Sequence, residues 1–598
     1  MSLPRPPVQR SIFDVQNLIG RDFDPDDRFR LFQEKIYPTL LAAREELAAC
    51  YCADNGRPAE EPVTLLGATI LQFMERVPDR QAAESVRYHV GWKLALGLGL
   101  SPLAFHPTTL CKFRARLLQH EKAKLAFDAV FHGLTDAGLV TRRSRQRLDS
   151  THVLGLVAKM SSLEMIRETM RLAMSELNQA MAKLPDAGRP TLPAAWPVWW
   201  ERYVESKIDY RTEEAALAEK LRDAGKDVQQ LLQWVDALVQ PTGPEALVSA
   251  GKQIALLRRV FAENYDPAPN VAPEAPDAQG PTVKPRRAQP TGAVKNPHDP
   301  DAHWSNKKAK AKSPEDEPGA PAPSAADTGW IGYKVQVAET VQEEPRAEGE
   351  PTASFLTSVE TQPSTHSDHA GLQVTLAAQQ GSGLLPPTEM YVDTAYVSAK
   401  VIRQATEEGR ELVGPAFPAV NHGKEFKSDA FDVDVANRLA ICPAGHENTN
   451  CSRLEAKSTG VVTYRYEWGG KRGPCADCPL KSKCVSKGQS HRTLLVGEDH
   501  TYLQQRRREM ETDEFKQRMK HRNAIEGTMS EMVRGHGMRR ARYRGLPKQR
   551  LQNYVIGAAC NAKRWIRRAA WEMAQAAKNA AAAVTGALRP EETATANA

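Results

Sequence analysis

The feature that most limits how this chain can fold is a series of short strand-like segments set far apart along the sequence. The first, residues 147–155, contains β-branched residues and ends in Gly, which is typical of a strand. Further strand candidates follow at residues 332–338, 353–360 and 390–393, and residues 368–380 have the spacing of a crossover helix. Because strands that alternate with helices tend to share one sheet, we predict an α/β core interrupted by other segments.

Two long stretches interrupt this core. In residues 161–265, apolar residues recur at steps of three and four, which predicts an antiparallel helical insertion whose role is packing. Residues 266–328 hold 13 of the 41 prolines of the chain, mixed with Ala, Lys, Asp and Ser. Such a composition buries little apolar surface, so we predict a disordered linker there.

Changes in composition along the 598 residues also suggest the remaining boundaries. The predicted order is a helical N-terminal domain of DNA-binding type (1–135), a first part of the core (136–160), the helical insertion (161–265), the linker (266–328), a second part of the core (329–420), a cysteine-rich insertion (421–500), a basic C-terminal part of the core (501–575) and a disordered tail (576–598).

Positive charge is concentrated in one segment. Residues 502–568 contain 18 Lys plus Arg against 6 Asp plus Glu, although the net charge of the whole chain is only +7. A local excess of this size indicates a polyanionic partner such as nucleic acid. Contacts to phosphates, which give affinity but little sequence information, are predicted for Arg506, Arg507, Arg508, Arg522, Arg534, Arg539, Arg540, Arg542, Arg544, Lys548 and Arg550. Tyr543 fits either stacking on an unpaired base or simple packing, and packing is the safer interpretation.

Nothing in the sequence indicates a membrane. No apolar run reaches the roughly 18 residues that a membrane span needs, and residues 1–10 lack the apolar segment of a secretory signal. We therefore expect a cytoplasmic protein with no membrane partner.

Three acidic residues stand where folding alone would not select a charge. Asp149 lies within the first strand, Asp393 ends another strand, and Glu526 lies in a basic helical stretch. A buried Asp in a strand is costly unless it is paired or bound to a metal. Mg²⁺ would relieve the repulsion between converging carboxylates, because it takes oxygen ligands from protein and from substrate phosphate. Two such ions support in-line phosphoryl displacement by activating the attacking oxygen and stabilising the leaving oxygen.

Each of these acids, taken singly, also fits an ordinary structural role. Asp149 precedes Ser and Thr and could cap a turn, and Asp393 could cap a helix that starts near Ser398. Glu526 could pair with Arg522, four positions earlier. Together, two strand-associated Asp and a helical Glu amid basic residues form the set that a retroviral-integrase-like nuclease core requires.

Five of the nine cysteines lie between Cys442 and Cys484. In a reducing cytosol, thiolates at C-x-x-C spacing match a tetrahedral Zn²⁺ site better than a disulfide. We predict Cys442, Cys475, Cys478 and Cys484 as ligands of a structural zinc, with Cys451 spare. The alternative, a cluster without metal, stays open because the C-x-x-C pair has no regular partner pair.

Motifs across most of the chain resemble those of one family. They comprise residues 56–116, Arg147-Leu-Asp149-Ser-Thr151, Tyr391-Val-Asp393-Thr-Ala-Tyr396, Arg522-Asn-Ala-Ile-Glu526-Gly, the basic run His536 to Gly545, and Asn561-Ala-Lys-Arg564. With these motifs the chain resembles bacterial insertion-sequence transposases of the DDE class and is most similar to the IS1182 group. Arg522 and Glu526 reproduce part of a signature of related transposases, whereas Met519 stands where Tyr is expected and Val533 where Lys is expected.

The resemblance implies a fold, an activity and partners. The fold is an RNase H-like (retroviral-integrase-like) α/β core with an all-α N-terminal domain, and Asp149, Asp393 and Glu526 bind Mg²⁺ or Mn²⁺. The activity is cutting of transposon ends in double-stranded DNA and joining of their 3′ hydroxyls to a target. A homodimer or larger assembly on DNA is implied, in a bacterial cytoplasm and at the nucleoid when DNA is bound. Two other classes stay open: a non-catalytic DNA-binding protein derived from a transposase, and a metal-dependent nuclease without strand transfer.

Overall fold

The computed structural model describes most of the chain. The described residues are 2–3, 13–52, 55–101, 105–206, 214–238, 251–266, 283–307, 328–342, 347–419, 425–457, 460–469, 473–486 and 488–587. Within them the α-helices are, in chain order, Val15–Ile19, Arg28–Leu31, Tyr37–Ala42, Arg44–Ala48, Pro62–Glu75, Asp79–Tyr88, Val90–Ala95, Thr108–Gln119, Leu125–Asp136, Ser162–Met181, Trp196–Trp200, Glu214–Ala237, Lys252–Asn264, Asp368–Gly381, Ala399–Glu407, Lys481–Cys484, His500–Glu511, Asp513–Asn523, Ile525–Ser530 and Leu546–Ala587.

The strands in the same residues are β1 (Gln146–Leu154), β2 (Tyr265–Asp266), β3 (Lys284–Pro285), β4 (His303–Lys307), β5 (Thr328–Thr340), β6 (Leu356–Pro363), β7 (Glu389–Tyr391), β8 (Glu411–Val413), β9 (Asp432–Asp434), β10 (Leu439–Ile441), β11 (Glu447–Asn448), β12 (Cys451–Glu455), β13 (Val462–Glu467) and β14 (Thr493–Gly497). None of the described helices is both long and apolar enough to cross a membrane.

A six-stranded mixed sheet forms the centre of the fold. β1 pairs antiparallel with β5, and β6 and β4 pair antiparallel with successive parts of β5. On its other edge β1 pairs parallel with β7, which pairs parallel with β8. The predicted strands and the predicted crossover helix, observed as Asp368–Gly381, are thereby confirmed. A mixed sheet with this order is compatible with an RNase H-like fold.

The N-terminal helices and the sheet share one hydrophobic core. Helix Pro62–Glu75, which starts with Pro at its first position, is buried from Pro62 to Phe73. It packs against the helix Leu546–Ala587, called the C-terminal helix below, which also covers β6. Val335 and Val359 of the sheet join the same cluster as Phe73 and Ile556. The helical N-terminal region is therefore continuous in packing with the sheet.

Helices that follow β1 form a separate core. Apolar faces of Ser162–Met181, Glu214–Ala237 and Lys252–Asn264 meet around Met170, Leu231 and Leu257, as the seam pattern in the sequence indicates. Ser161 caps the first of these helices in a capping box with Glu164.

The prediction of a disordered linker over residues 266–328 is wrong for its middle part. Residues 283–307 are described and contain β3 and β4, and β4 extends the main sheet. Asp299 in this part is fully buried and accepts hydrogen bonds from Tyr333 Oη at 2.6 Å and from the Gly545 amide at 3.1 Å. The proline content, averaged over the whole stretch, gave no indication of these hydrogen bonds to distant residues. The flanking residues 267–282 and 308–327 lie outside the described residues.

The prediction of a disordered tail from residue 576 is also wrong at its start. The C-terminal helix continues to Ala587, because Ala has the highest helix propensity of all residues. Residues 588–598 lie outside the described part.

The cysteine-rich region forms two small antiparallel sheets. Strands β9, β10 and β11 make one, and β12, β13 and β14 make the other. Phe431, Tyr466 and Trp468 belong to one hydrophobic cluster that includes residues of both sheets, and Cys484 is buried in it. The described part of residues 421–500 therefore has a small core of its own.

Candidate active site

Asp149 and Asp393 lie side by side at one end of the parallel strand pair. In the pairing of β1 with β7, Arg147 is opposite Tyr391, and each aspartate follows two residues later along its strand direction. Because parallel strands run with the same polarity, equal offsets from paired residues place the two carboxylates together. This convergence follows from the strand register and was not visible in either motif alone.

One arginine bridges the two carboxylates. Arg522 Nη2 lies 2.8 Å from Asp149 Oδ2 and 3.9 Å from Asp393 Oδ2. The helix that carries it, Asp513–Asn523, begins with Thr512 as a side-chain cap and contacts both β1 and β7. The interpretation of Arg522 as a partner of Glu526 is replaced by this pairing with the aspartates.

The two aspartates also make local hydrogen bonds. Asp149 Oδ1 accepts from the Ser150 amide at 2.7 Å, and Asp393 Oδ1 accepts from the Ala395 amide at 2.8 Å and so caps the 3₁₀ turn Thr394–Tyr396. Ser398, in contrast, caps the next helix. Asp393 therefore has a capping role and also keeps its second oxygen turned toward Arg522.

The surroundings of Asp149 disfavour the negative charge of its carboxylate. Burial raises the pKa of the Asp149 carboxyl, the nearby Arg522 opposes this effect, and the charges of Asp393 and Asp368 raise the pKa further. One guanidinium thus faces the two carboxylates of Asp149 and Asp393, and the local deficit of positive charge is the kind that a divalent cation fills.

Glu526 lies on the helix Ile525–Ser530, which contacts β1, but its side chain is exposed. Among the described residues, one group of three or more potential metal ligands has its ligand atoms within 4.8 Å of one another, and that group does not include these acids. Oxygens of Asp149, Asp393 and Glu526 therefore do not all come within 4.8 Å of one another. The structure therefore brings together two of the three predicted acids and leaves the third on a neighbouring helix, after a break at Ala524.

Sequence reasoning missed a further acid close to this pair. Asp368, the first residue of the crossover helix, accepts hydrogen bonds from Ser150 Oγ at 3.1 Å, Lys334 Nζ at 3.2 Å and Gln336 Nε2 at 3.3 Å. Tyr396 Oη hydrogen-bonds to Gln336, and burial holds the pKa of Tyr396 well above its usual range. An acid in the first turn of a helix has an ordinary dipole role, so its sequence position alone gave no functional signal.

A buried ionic network anchors the helices behind this site. Glu339 of β5 is fully buried, and its Oε1 accepts from Arg147 Nε at 2.6 Å while its Oε2 accepts from Arg564 Nη1 at 2.8 Å and Thr528 Oγ1 at 2.7 Å. Arg147 also donates to the His521 carbonyl at 3.0 Å. The network therefore joins the Arg522 helix, the Glu526 helix and the C-terminal helix to the sheet.

Three of the arginines predicted to contact DNA are engaged by groups of the protein itself. Arg506 is buried and donates to Glu509 and to the Gly414 carbonyl, Arg507 pairs with Asp429, and Arg508 pairs with Asp432. A charge count along the sequence cannot separate such internal pairs from free cations.

The other basic residues divide into two groups. Arg539 donates to the His152 carbonyl at 2.9 Å, Arg542 donates to the Val77 carbonyl at 3.2 Å, and Arg550 donates to the Thr361 carbonyl at 3.1 Å. The exposed members that form no side-chain hydrogen bond or ion pair with any residue the structure describes are Arg534, Arg540, Arg544 and Lys548. Tyr543 packs under the guanidinium of Arg114 with its ring 5.3 Å away, so the packing interpretation holds.

The four predicted zinc ligands surround one small cavity. Cys442, Cys475, Cys478 and Cys484 line it together with Trp468. Burial raises the pKa of Cys484, an effect that Arg492 opposes and the other three cysteines increase. No three of these sulfurs come within 4.8 Å of one another in this part of the described structure.

Two family models match the chain. Residues 19–116 match a model described as a transposase domain (DUF772), and residues 441–566 match a model described as a transposase DDE domain. Together with the mixed sheet, these matches support a transposase-type enzyme that processes nucleic acid. Since both domains occur in one chain, the resemblance to DDE-class insertion-sequence transposases is confirmed. The second match includes Glu526 and the zinc candidates but neither Asp149 nor Asp393. No curated protein matches the chain.

Proposed function

We propose that this protein is a DNA transposase that cuts the ends of an insertion sequence and joins the 3′ hydroxyls to target DNA. The observation that carries the proposal is the pairing of Asp149 with Asp393 at the same end of two parallel strands, bridged by Arg522. It works on double-stranded DNA as a homodimer or larger assembly, because two transposon ends must be held together for joining.

Asp149, Asp393 and Glu526 would hold two Mg²⁺ or Mn²⁺ ions. The Asp149–Asp393 pair fits such ions, because it offers hard carboxylate oxygens whose charge Arg522 offsets only in part, and Glu526 would join it from the neighbouring helix. When bound, the ions supply positive charge to the attacking and leaving oxygens of a phosphoryl transfer.

The chain's own residues have complementary roles around the scissile phosphate. Asp149, with a side chain 17% exposed, is the less exposed member of the pair, whereas Asp393, at 40%, is the more open one. Arg522 orients both carboxylates, and its cationic group opposes the effect of burial, which raises the pKa of Asp149. Glu526 sits on the exposed face of its helix, where it can approach a bound DNA backbone.

A strand-transfer assay separates the three candidate classes. With pre-cleaved transposon ends and a target plasmid, we expect divalent-cation-dependent joining of the ends to the target. Cleavage without joining would instead identify a nuclease on the same core, and DNA binding without either reaction would identify a non-catalytic binding protein.

Exposed cations near the start of the C-terminal helix should contribute to DNA affinity. We predict that replacing Arg544 and Lys548 together by Gln lowers the salt dependence of DNA binding by about two counterions, since each neutralised phosphate contributes roughly 0.9 to the slope. Fluorescence anisotropy at several salt concentrations measures this slope. Arg508→Gln is the control, because Asp432 already balances its charge. Equal slopes for the control and the double variant would contradict the assignment.

We further propose that the four cysteines bind a structural zinc. Their convergence on one cavity supports this, and four thiolates leave no open position for catalysis. Cys478→Ser should lose about one zinc per chain by mass spectrometry, whereas Cys451→Ser, which alters the spare cysteine, should keep it. An unchanged zinc content in Cys478→Ser would refute the proposal.

A further inference from the structure

We propose that Glu531, His536 and Cys560 form a second, buried metal site of the zinc class. One ligand atom from each residue lies within 4.8 Å of the others, and no other such group was found among the described residues. Glu531 begins the π-helical turn Glu531–Gly535, His536 ends it, and Cys560 lies on the C-terminal helix. The site is separate from the carboxylate pair, and the inference does not depend on the proposed transposase activity.

The imidazole of His536 is oriented as a metal ligand would be. Its Nδ1 lies 3.2 Å from the Phe73 carbonyl, and because a carbonyl only accepts, Nδ1 carries the proton. The other nitrogen, Nε2, is buried without a hydrogen-bond partner, and the residue as a whole is 0% exposed. A ring that donates one N–H to a backbone carbonyl, with its second nitrogen free, is the usual arrangement of histidine ligands.

The carboxylate of Glu531 also has one oxygen, Oε1, that a cation could bind. Arg564 donates to Oε2 at 2.9 Å, whereas Oε1 is buried with the Arg567 guanidinium 3.7 Å away, and the Cys560 thiol faces the same carboxylate. Two buried acceptors, a ring nitrogen and a carboxylate oxygen, thus lie near one another with no hydrogen bond between them. Leaving the buried ring nitrogen of His536 unsatisfied is costly, and one cation bound to it, to the carboxylate and to the Cys560 sulfur would satisfy it.

The ligand chemistry selects the class of metal. A thiolate, an imidazole and one carboxylate oxygen suit Zn²⁺, whereas Mg²⁺ prefers oxygen ligands alone. Zn²⁺ binds such ligands at roughly 2.0–2.3 Å, so the ligand atoms around one zinc ion lie less than about 4.8 Å apart. The three ligand atoms here already lie within 4.8 Å of one another.

The position of the site gives it a structural role. It joins the turn that follows the Glu526 helix to the C-terminal helix, and through the Phe73 carbonyl it reaches the buried N-terminal helix Pro62–Glu75. A bound ion would therefore hold the helix of Glu526 at a fixed distance from the sheet.

Zinc content tests this site directly. We expect Cys560→Ser and His536→Gln to hold about one Zn²⁺ per chain less than the wild type by mass spectrometry. Cys50→Ser, the same change at another buried cysteine, should keep the wild-type content. Equal zinc in Cys560→Ser and Cys50→Ser would overturn the proposal.

Zinc K-edge absorption of the unaltered, zinc-loaded protein provides a measurement that needs no variant to fold. We expect nitrogen or oxygen neighbours at about 2.0–2.1 Å in addition to sulfur at about 2.3 Å. A shell of sulfur alone, or a protein that retains no zinc, would overturn the proposal.

Discussion

Replacing Asp393 by Asn should abolish cleavage of transposon-end DNA, with a rate loss of about a thousandfold or more, while folding and DNA binding persist. The substitution removes the negative charge that faces Arg522 and that a divalent cation would need. Asn retains the side-chain oxygen that caps the turn after β7, because Asn is as good a cap as Asp. The measurement is single-turnover cleavage of a labelled end duplex at saturating Mg²⁺.

A matched control isolates the charge from the cap. Asp27 also caps a helix start, accepting from the amides of Phe29 at 2.8 Å and Arg30 at 3.2 Å, far from the carboxylate pair in sequence. Asp27→Asn makes the same chemical change and should cleave at the wild-type rate. Wild-type cleavage by Asp393→Asn would remove Asp393 from the active site.

Replacing Glu339 by Ala should produce the largest loss of stability, about 3–5 kcal/mol in the free energy of unfolding. The two guanidiniums that it neutralises, those of Arg147 and Arg564, have side chains only 7% and 3% exposed. Removing Glu339 leaves both charges buried with fewer partners, and it also removes the acceptor for Thr528. Chemical denaturation followed by circular dichroism measures the change.

An exposed ion pair on another strand provides the comparison. Glu455 of β12 pairs with Arg453, and both side chains are about half exposed. Glu455→Ala should cost less than about 1 kcal/mol, because water screens such a pair. Similar losses in the two variants would show that the buried network does not stabilise the fold as we infer.

Local sequence patterns predicted the elements of the fold well. β-branched runs located β1 and β5, and helical spacing located the crossover helix within a residue or two. The linker prediction failed for residues 283–307, because their order depends on Asp299 binding Tyr333 and Gly545, which are distant in sequence. Averaged composition contains no information about such partners.

In the candidate site too, local patterns identified some residues, and only the tertiary structure identified the others. Asp149 and Asp393 were identifiable because a charge within or at the end of a strand is unusual, whereas Asp368 and His536 were not, since an acid at a helix start and a histidine in a basic run are ordinary. The sequence also could not distinguish basic residues that form ion pairs from those that do not. Arg508 and Arg544 look alike in sequence, and only the structure pairs Arg508 with Asp432.

The amino-acid sequence by itself determined the strands, the helices, the unusual acids and the concentration of positive charge, because these depend on neighbouring residues and on residue type. The tertiary structure decided which of those groups meet. It aligned Asp149 with Asp393 through a strand register, placed Arg522 between them, and gathered Glu531, His536 and Cys560 in the interior. The first two contacts depend on packing between segments more than a hundred residues apart, and the third on how a turn packs against the C-terminal helix, so no local pattern encodes them.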